Sequence, residues 1–144
     1  QMALVQNDLS MIPTAVEESL RFDAPVHGLF RTNTEPTEID GVAIPDNSKV
    51  MCTFFSANLD PAAWDHPERF DITRDLDQLK KHYAFGKGIH YCMGAPLSRV
   101  EGAVALEAVL DRMPGLRLTA EPRMITAPVL HGVETLPVAW DTTP

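Results

Sequence analysis

The stretch Ala84-Phe85-Gly86-Lys87-Gly88-Ile89-His90-Tyr91-Cys92-Met93-Gly94 concentrates the side chains of this sequence that could do chemistry. Gly86 and Gly88 let the backbone turn tightly and come close to a flat ligand. Cys92 follows at the entrance of an apolar segment that reads as a helix. The positive end of that helix dipole and its free backbone N–H groups would stabilise a thiolate. A thiolate is the ligand a haem iron takes where the protein is to favour O–O cleavage. Other chemistries fit less well. Gly-x-Gly alone is any turn. A phosphate loop would close on Gly-Lys-Ser/Thr, whereas Gly94 is followed by Ala95-Pro96. Zinc would need further Cys or His at ligand spacing, and only His90 is near. Taken alone, His90 also reads as a solvated loop histidine.

The elements that must hold this loop can be read on either side of it. Pro13 to Phe22 reads as a helix, opened by a proline that loses nothing at its first turn and closed by Asp23-Ala24-Pro25. Thr37 to Asp40 and Gly41 to Ile44 flank an Asp-Gly pair, a hairpin signal. Lys49 to Ser56 reads as a strand, with Cys52 as a small buried hydrophobe inside it. Between Ala57 and Tyr83, polar residues with Pro61 and Pro67 break every period, so one short helix in an irregular stretch is expected. Met93 to Met113 is apolar nearly all round, which predicts a mostly buried helix stopped by Pro114-Gly115. Leu116 to Leu118, Pro128 to Leu130 and Leu136 to Val138 read as short closing strands. The fold class expected is mainly α with short β-hairpins, an α+β arrangement without a linker between domains.

Bulk composition narrows the function classes. With 144 residues and 44% hydrophobic residues, a packed core is within reach. A formal charge of −8 argues against nucleic-acid binding, which needs a basic surface. No apolar run is long enough for a bilayer, and Gln1 to Ser10 carries no secretory signal pattern. Cys52 and Cys92 are too few for a disulfide framework, although one bridge stays open. The cytoplasm is the expected compartment.

Phe85-Gly-x-Gly-x-His90-x-Cys92-x-Gly94 resembles the haem-binding loop of the cytochrome P-450 family at every fixed position. Leu97-Ser98-Arg99 resembles the family's Leu-Ala-Arg on the following helix. The resemblance runs from Ile12 through Ala57-Asn58-Leu59-Asp60-Pro61 to Leu136-Pro137-Val138, and it looks most like the soluble bacterial branch. Leu59 stands where that branch has Arg, and Trp64 where Phe is usual. The match is to the carboxy-terminal third of a family member, so residues 1–144 are expected to be the carboxy-terminal haem-binding part, without the long distal helix that delivers protons to oxygen.

The resemblance implies haem b as cofactor, with Cys92 as axial iron ligand and catalytic centre. Arg31 and His90 would bind the haem propionates, in a cradle formed by Ala84, Phe85, Gly86 and Gly94. Without the resemblance, Arg31 could equally be an edge-strand cation. Glu18 and Arg21 match the family's structural Glu-x-x-Arg, with Arg69 or Arg74 as third member; outside the family, that pair would be a surface ion pair. His27, Leu29 and Val129 match substrate-contacting positions, or are ordinary core. Lys80, Lys81, Lys87, Arg99 and Arg112 are either a basic face for a ferredoxin-type donor or a solvated mixed surface. The implied activity is oxygenation of a small organic substrate with O2; the alternatives are a non-catalytic scaffold or binding module and a haem-based sensor. The apolar helix after Cys92 further predicts self-association of the isolated chain.

Overall fold

The computed structural model describes residues 1–142, whose centre is a pair of crossing helices. A short helix α1 (Met2–Asn7) leads through a 3₁₀ turn into α2 (Ile12–Phe22), with Pro13 in its first turn. α2 is amphipathic in an unusual way. Ile12 and Ala15 face the apolar core, whereas Glu17, Glu18 and Arg21 are also buried. The apolar cluster joins Val5, Ile12, Ala15 and Ile72 to Val16, Phe70, Ala103, Leu106 and Leu110. The last three belong to the long helix α5 (Ala95–Arg112). A Cβ placed at Gly102 would stand 3.2 Å from the Val16 side chain, so the glycine lets α5 approach α2 closely.

The strands form four separate antiparallel pairs. Strand β1 (Gly28–Thr32) pairs with β4 (Lys49–Thr53), Leu29 opposite Cys52 and Arg31 opposite Val50. The hairpin β2 (Thr37–Ile39) and β3 (Val42–Ile44) lies between them in sequence. Its turn places Asp40 at φ 47° and Gly41 at φ 79°, the left-handed conformations a two-residue hairpin turn demands. Helices α3 (Phe54–Asn58) and α4 (Leu76–Leu79) bracket the irregular meander. At the end of the chain, β5 (Arg117–Leu118) pairs with β8 (Val138–Ala139), and β6 (Arg123–Met124) with β7 (Val133–Thr135).

The expected mixed fold, the helix after Pro13, the Asp-Gly hairpin and the long carboxy-terminal helix are all present. Four local expectations are corrected. Strand β4 stops at Thr53, and Phe54 turns into α3, because the Ala57 to Pro61 segment wraps beneath α2, where Arg21 takes the Asn58 carbonyl. Cys52 is exposed, since β1 and β4 form a lone pair with an open face. Pro128 to Leu130 makes only an isolated bridge, Leu130 to Val26, while Arg123–Met124 and Val133–Thr135 supply strands instead. Helix α5 is buried on one side only: Leu97, Val100 and Val104 are each about 60% exposed. Its all-round apolarity therefore outruns the partners present among the described residues. No helix of the described residues is long and apolar enough to cross a membrane.

Candidate functional site

The loop carrying Cys92 is shaped by its own backbone. Gly86 and Gly88 adopt φ 70° and 71°, which side chains with a Cβ rarely take. Gly86 N–H donates to the Tyr83 carbonyl at 2.8 Å, and a 3₁₀ turn over Gly88–His90 returns the chain towards its start. Cys92 N–H then donates to the Phe85 carbonyl at 3.0 Å, closing the loop. Ala95 N–H donates to the Cys92 carbonyl at 3.2 Å, and α5 starts there with Pro96 in its first turn. A Cβ at Gly94 would lie 3.7 Å from the Cys92 sulfur, so a side chain there would touch it. The thiol thus sits at the amino terminus of an 18-residue helix, where the dipole and free N–H groups favour negative charge.

Cys92 opens onto a cavity of about 740 Å³. Ala84, Phe85 and Gly86 form one side; Leu29 and Cys52, cross-strand neighbours on β1 and β4, form part of the other. Arg31 and His90 also line it, and both are exposed. Arg31 bonds only its neighbour's carbonyl, Phe30, and has no carboxylate partner among the described residues. The cavity therefore pairs an apolar body with the Cys92 and Cys52 thiols and three cation-forming side chains, Arg31, Lys87 and His90. This donor set fits a flat apolar macrocycle with an iron centre and acidic edges. Gly94 lies beside the sulfur but does not line the cavity. His27 and Val129 lie outside this lining: the His27 ring stacks with Phe55 and with His131, and its backbone N–H donates to the Val129 carbonyl.

Behind the loop, Glu18 and Arg21 are fully buried and form a bidentate pair at 2.6 and 2.8 Å. The remaining Arg21 donors take the carbonyls of Asn58, Pro67 and Arg69. The guanidinium also lies over the Trp64 ring, 5.4 Å from its centroid. Arg74 approaches Glu18 at 3.3 Å and binds the carbonyls of Asp65, His66 and Arg69. Its side chain is 9% exposed, against 69% for that of Arg69, which meets only Glu68. Arg74 is the third side chain of the network; Arg69 contributes its carbonyl.

A second buried carboxylate, which carries no motif of its own in the sequence, sits beside the first. Glu17 is 3% exposed and accepts from Arg99 through both carboxylate oxygens, the Nη2 contact being 3.1 Å, and from His82 Nε2 at 3.0 Å. His82 Nδ1 accepts from Ala84 N–H at 3.1 Å. The Nδ1 bond leaves Nε2 as the ring donor to Glu17, and Arg99 supplies the guanidinium partner. Burial would raise the Glu17 carboxyl, but the hydrogen bonds from His82 and Arg99 and the Arg99 charge pull it down to about 2. The Glu17 hydrogen bond raises Arg99 in turn, against its own partial burial. Arg99 also donates to the Tyr91 hydroxyl at 3.1 Å and lies over the Phe85 ring at 4.7 Å. One guanidinium thus joins α2 to both ends of the loop. The only sequence signal was the doubled Glu17-Glu18, and Glu18 alone had a motif to explain it.

Arg99 is accordingly not a free cation of a basic face. Lys80 pairs with Asp77 at 3.2 Å, and Lys87 lies over the Tyr83 ring.

The chain matches the family model described as cytochrome P-450 over residues 3–118. It is 44% identical to the 6-deoxyerythronolide B hydroxylase of Saccharopolyspora erythraea, covering 98% of this chain and 35% of that protein. It is 40% identical to the steroid C26-monooxygenase of Mycobacterium tuberculosis, over all of this chain and 39% of that one. The solved structure of the tirandamycin C-bound P-450 monooxygenase TamI superposes with a TM-score of 0.92 at 39% identity, covering 98% of this chain and 36% of that one. The chain spans a little over a third of the length of the relatives it matches.

Proposed function

The chain belongs to the cytochrome P-450 family, and from that membership we propose that residues 1–144 form the carboxy-terminal haem-binding part of a bacterial-type monooxygenase. The observation that carries this reading is the Cys92 thiol at a helix amino terminus, opening onto an apolar cavity edged by Arg31 and His90. We assign Cys92 as the thiolate ligand of haem b. Arg31 and His90 would donate charge-assisted hydrogen bonds to the propionates, the strongest polar contacts available at exposed edges. Ala84, Phe85 and Gly86 offer an apolar seat, and Gly94 leaves room beside the sulfur. Leu29 is the substrate-side wall residue this chain contributes.

A haem held there would supply reductive activation of O2, using two electrons from a redox partner and two protons so that one oxygen atom enters a small organic substrate and the other leaves as water. The chain's own residues bind and orient. The amino terminus of α5, where a helix dipole favours negative charge, stands beside the thiol, and the Phe85 carbonyl fixes the Cys92 amide. The Glu17–Arg99 pair anchors the loop to α2 from behind. A cytoplasmic setting suits a cysteine that must stay reduced, and a ferredoxin-type protein would serve as the electron donor. The competing reading, a non-catalytic scaffold, draws on the third of the relatives' length that the chain spans; the intact loop around Cys92 favours the oxygenase reading.

The test is the absorption spectrum of the haem-loaded, reduced, carbon-monoxide-bound chain beside that of Cys92→Ala. A red-shifted thiolate-type Soret band in the former, absent from the latter, is expected. A spectrum unchanged by the substitution would remove Cys92 as ligand and the proposal with it.

A further inference from the structure

Away from the Cys92 cavity, Asp23, His27 and His131 meet where the end of α2 faces the carboxy-terminal turn. One ligand atom from each lies within 4.8 Å of the others. His131 Nε2 stands 2.9 Å from Asp23 Oδ1. The two imidazoles stack with centroids 4.4 Å apart and 19° between planes. His27 Nε2 is buried and has no hydrogen-bond partner. A buried polar nitrogen left unpaired is destabilising, so the arrangement favours a further partner.

The scaffold under these side chains is fixed. His27 N–H donates to the Val129 carbonyl and His131 N–H to the Pro25 carbonyl, each at 2.9 Å, around the Val26–Leu130 bridge. Phe55 stacks on the outer face of His27 at 4.6 Å. Asp23 is exposed and caps the open side. Two imidazoles and a carboxylate are a ligand set that zinc and related divalent ions take, with nitrogen and oxygen about 2.0–2.2 Å from the metal and a fourth position left for water. Tetrahedral bonds of that length separate ligand atoms by roughly 3.3 Å. The Asp23–His131 contact is already shorter than that. Binding an ion therefore requires the stacked rings to tilt apart and the exposed Asp23 side chain to turn towards them.

We propose that Asp23, His27 and His131 form a binding site for a divalent transition-metal ion of the zinc type. The ion would replace the Asp23–His131 contact, satisfy His27, and clip the carboxy-terminal turn to the segment entering β1. That segment matters, because Pro25, Val26 and Leu29 line the Cys92 cavity. The site is thus a brace on the outside of the cavity wall, separate from the thiolate centre and independent of haem.

The test uses the purified chain in a Cys52→Ser, Cys92→Ser background, so that no thiol competes for metal. Zinc chloride is titrated calorimetrically, and cobalt(II) reports the geometry through its visible absorption. Uptake of one equivalent is expected, weakened at least tenfold by His27→Gln and by His131→Gln. Because Asp23 is exposed, Asp23→Asn tests the carboxylate with little risk to folding, and it should weaken binding as well. With all the histidines in place, zinc should move the imidazole proton resonances of His27 and His131 and leave those of His66 and His90 unshifted. No uptake, a loss smaller than tenfold in either histidine variant, or shifts confined to His66 or His90 would overturn the assignment.

Discussion

Replacing Glu17 by Gln isolates the charge of a carboxylate that is 3% exposed and held by Arg99 and His82. Its carboxyl is pulled from 4.5 to about 2 in the folded chain. A group whose folded value is depressed lends stability that is fully present above the unfolded value and is lost as pH falls through the folded one. The window therefore runs from about pH 5 down to about pH 2. At about 1.4 kcal/mol per pH unit, the ionised carboxylate is worth about 3 kcal/mol over its protonated form. The neutral amide would resemble that protonated form, so Glu17→Gln should lose about 3 kcal/mol at pH 7, a large part of the roughly 5–15 kcal/mol typical of a domain. The variant should also decline less steeply than wild type across the acid window, the remainder coming from other depressed carboxylates such as Asp71. The assay is reversible urea unfolding followed by circular dichroism at several values from neutral pH down into that window. A neutral hydrogen bond would be worth only about 0.5–1.5 kcal/mol. A loss below about 1 kcal/mol at neutral pH, or parallel pH profiles for the two chains, would refute the charge-based account.

The two meander arginines should separate sharply in the same unfolding assay. Arg69→Ala is expected to stay within about 0.5 kcal/mol of wild type, its side chain being solvated, whereas Arg74→Ala should lose about 2–3 kcal/mol through its bond to buried Glu18. Arg21→Ala strands Glu18 in the interior and should cost about 3–5 kcal/mol or prevent folding, seen as loss of the cooperative transition. Arg31→Ala should raise the haem dissociation constant about tenfold in a spectroscopic titration while leaving the thiolate band in place; an unchanged constant would make Arg31 an edge-strand cation only. Val100→Glu with Val104→Glu should shift the chain towards monomer in light scattering, because both side chains are about 60% exposed on the apolar side of α5.

The loop around Cys92 was legible because its information is local. Glycine marks positive φ, and the residues on either side of the thiol are tied together by bonds within a short span. The Asp40-Gly41 hairpin was legible for the same reason. The third member of the Glu18–Arg21 network was not, since Arg69 and Arg74 have the same chemistry in the same stretch, and only the path of the meander decides which guanidinium points inward. Glu17 was hidden because its partners, His82 and Arg99, lie 65 and 82 residues away. The expected burial of α5 failed for a different reason. Periodicity reports how much apolar surface a helix carries, not how many neighbours stand ready to cover it. For His27 the resemblance left a substrate contact and ordinary core open, and local sequence could not foretell its stacking with Phe55 and His131.

The interior behind the Cys92 loop is built as much from charge as from hydrocarbon. Beside Ile12, Ile72 and Leu79 lie Glu17, Glu18, Arg21, Asn58 and His82, all buried. Exposing apolar surface raises the heat capacity of unfolding, and exposing polar surface lowers it. An interior of this composition should give a small heat-capacity increment for its length, and so a broad, shallow dependence of stability on temperature. Cooling would then weaken the chain little, while acid, by protonating Glu17, would act on the anchor that joins the thiol loop to α2.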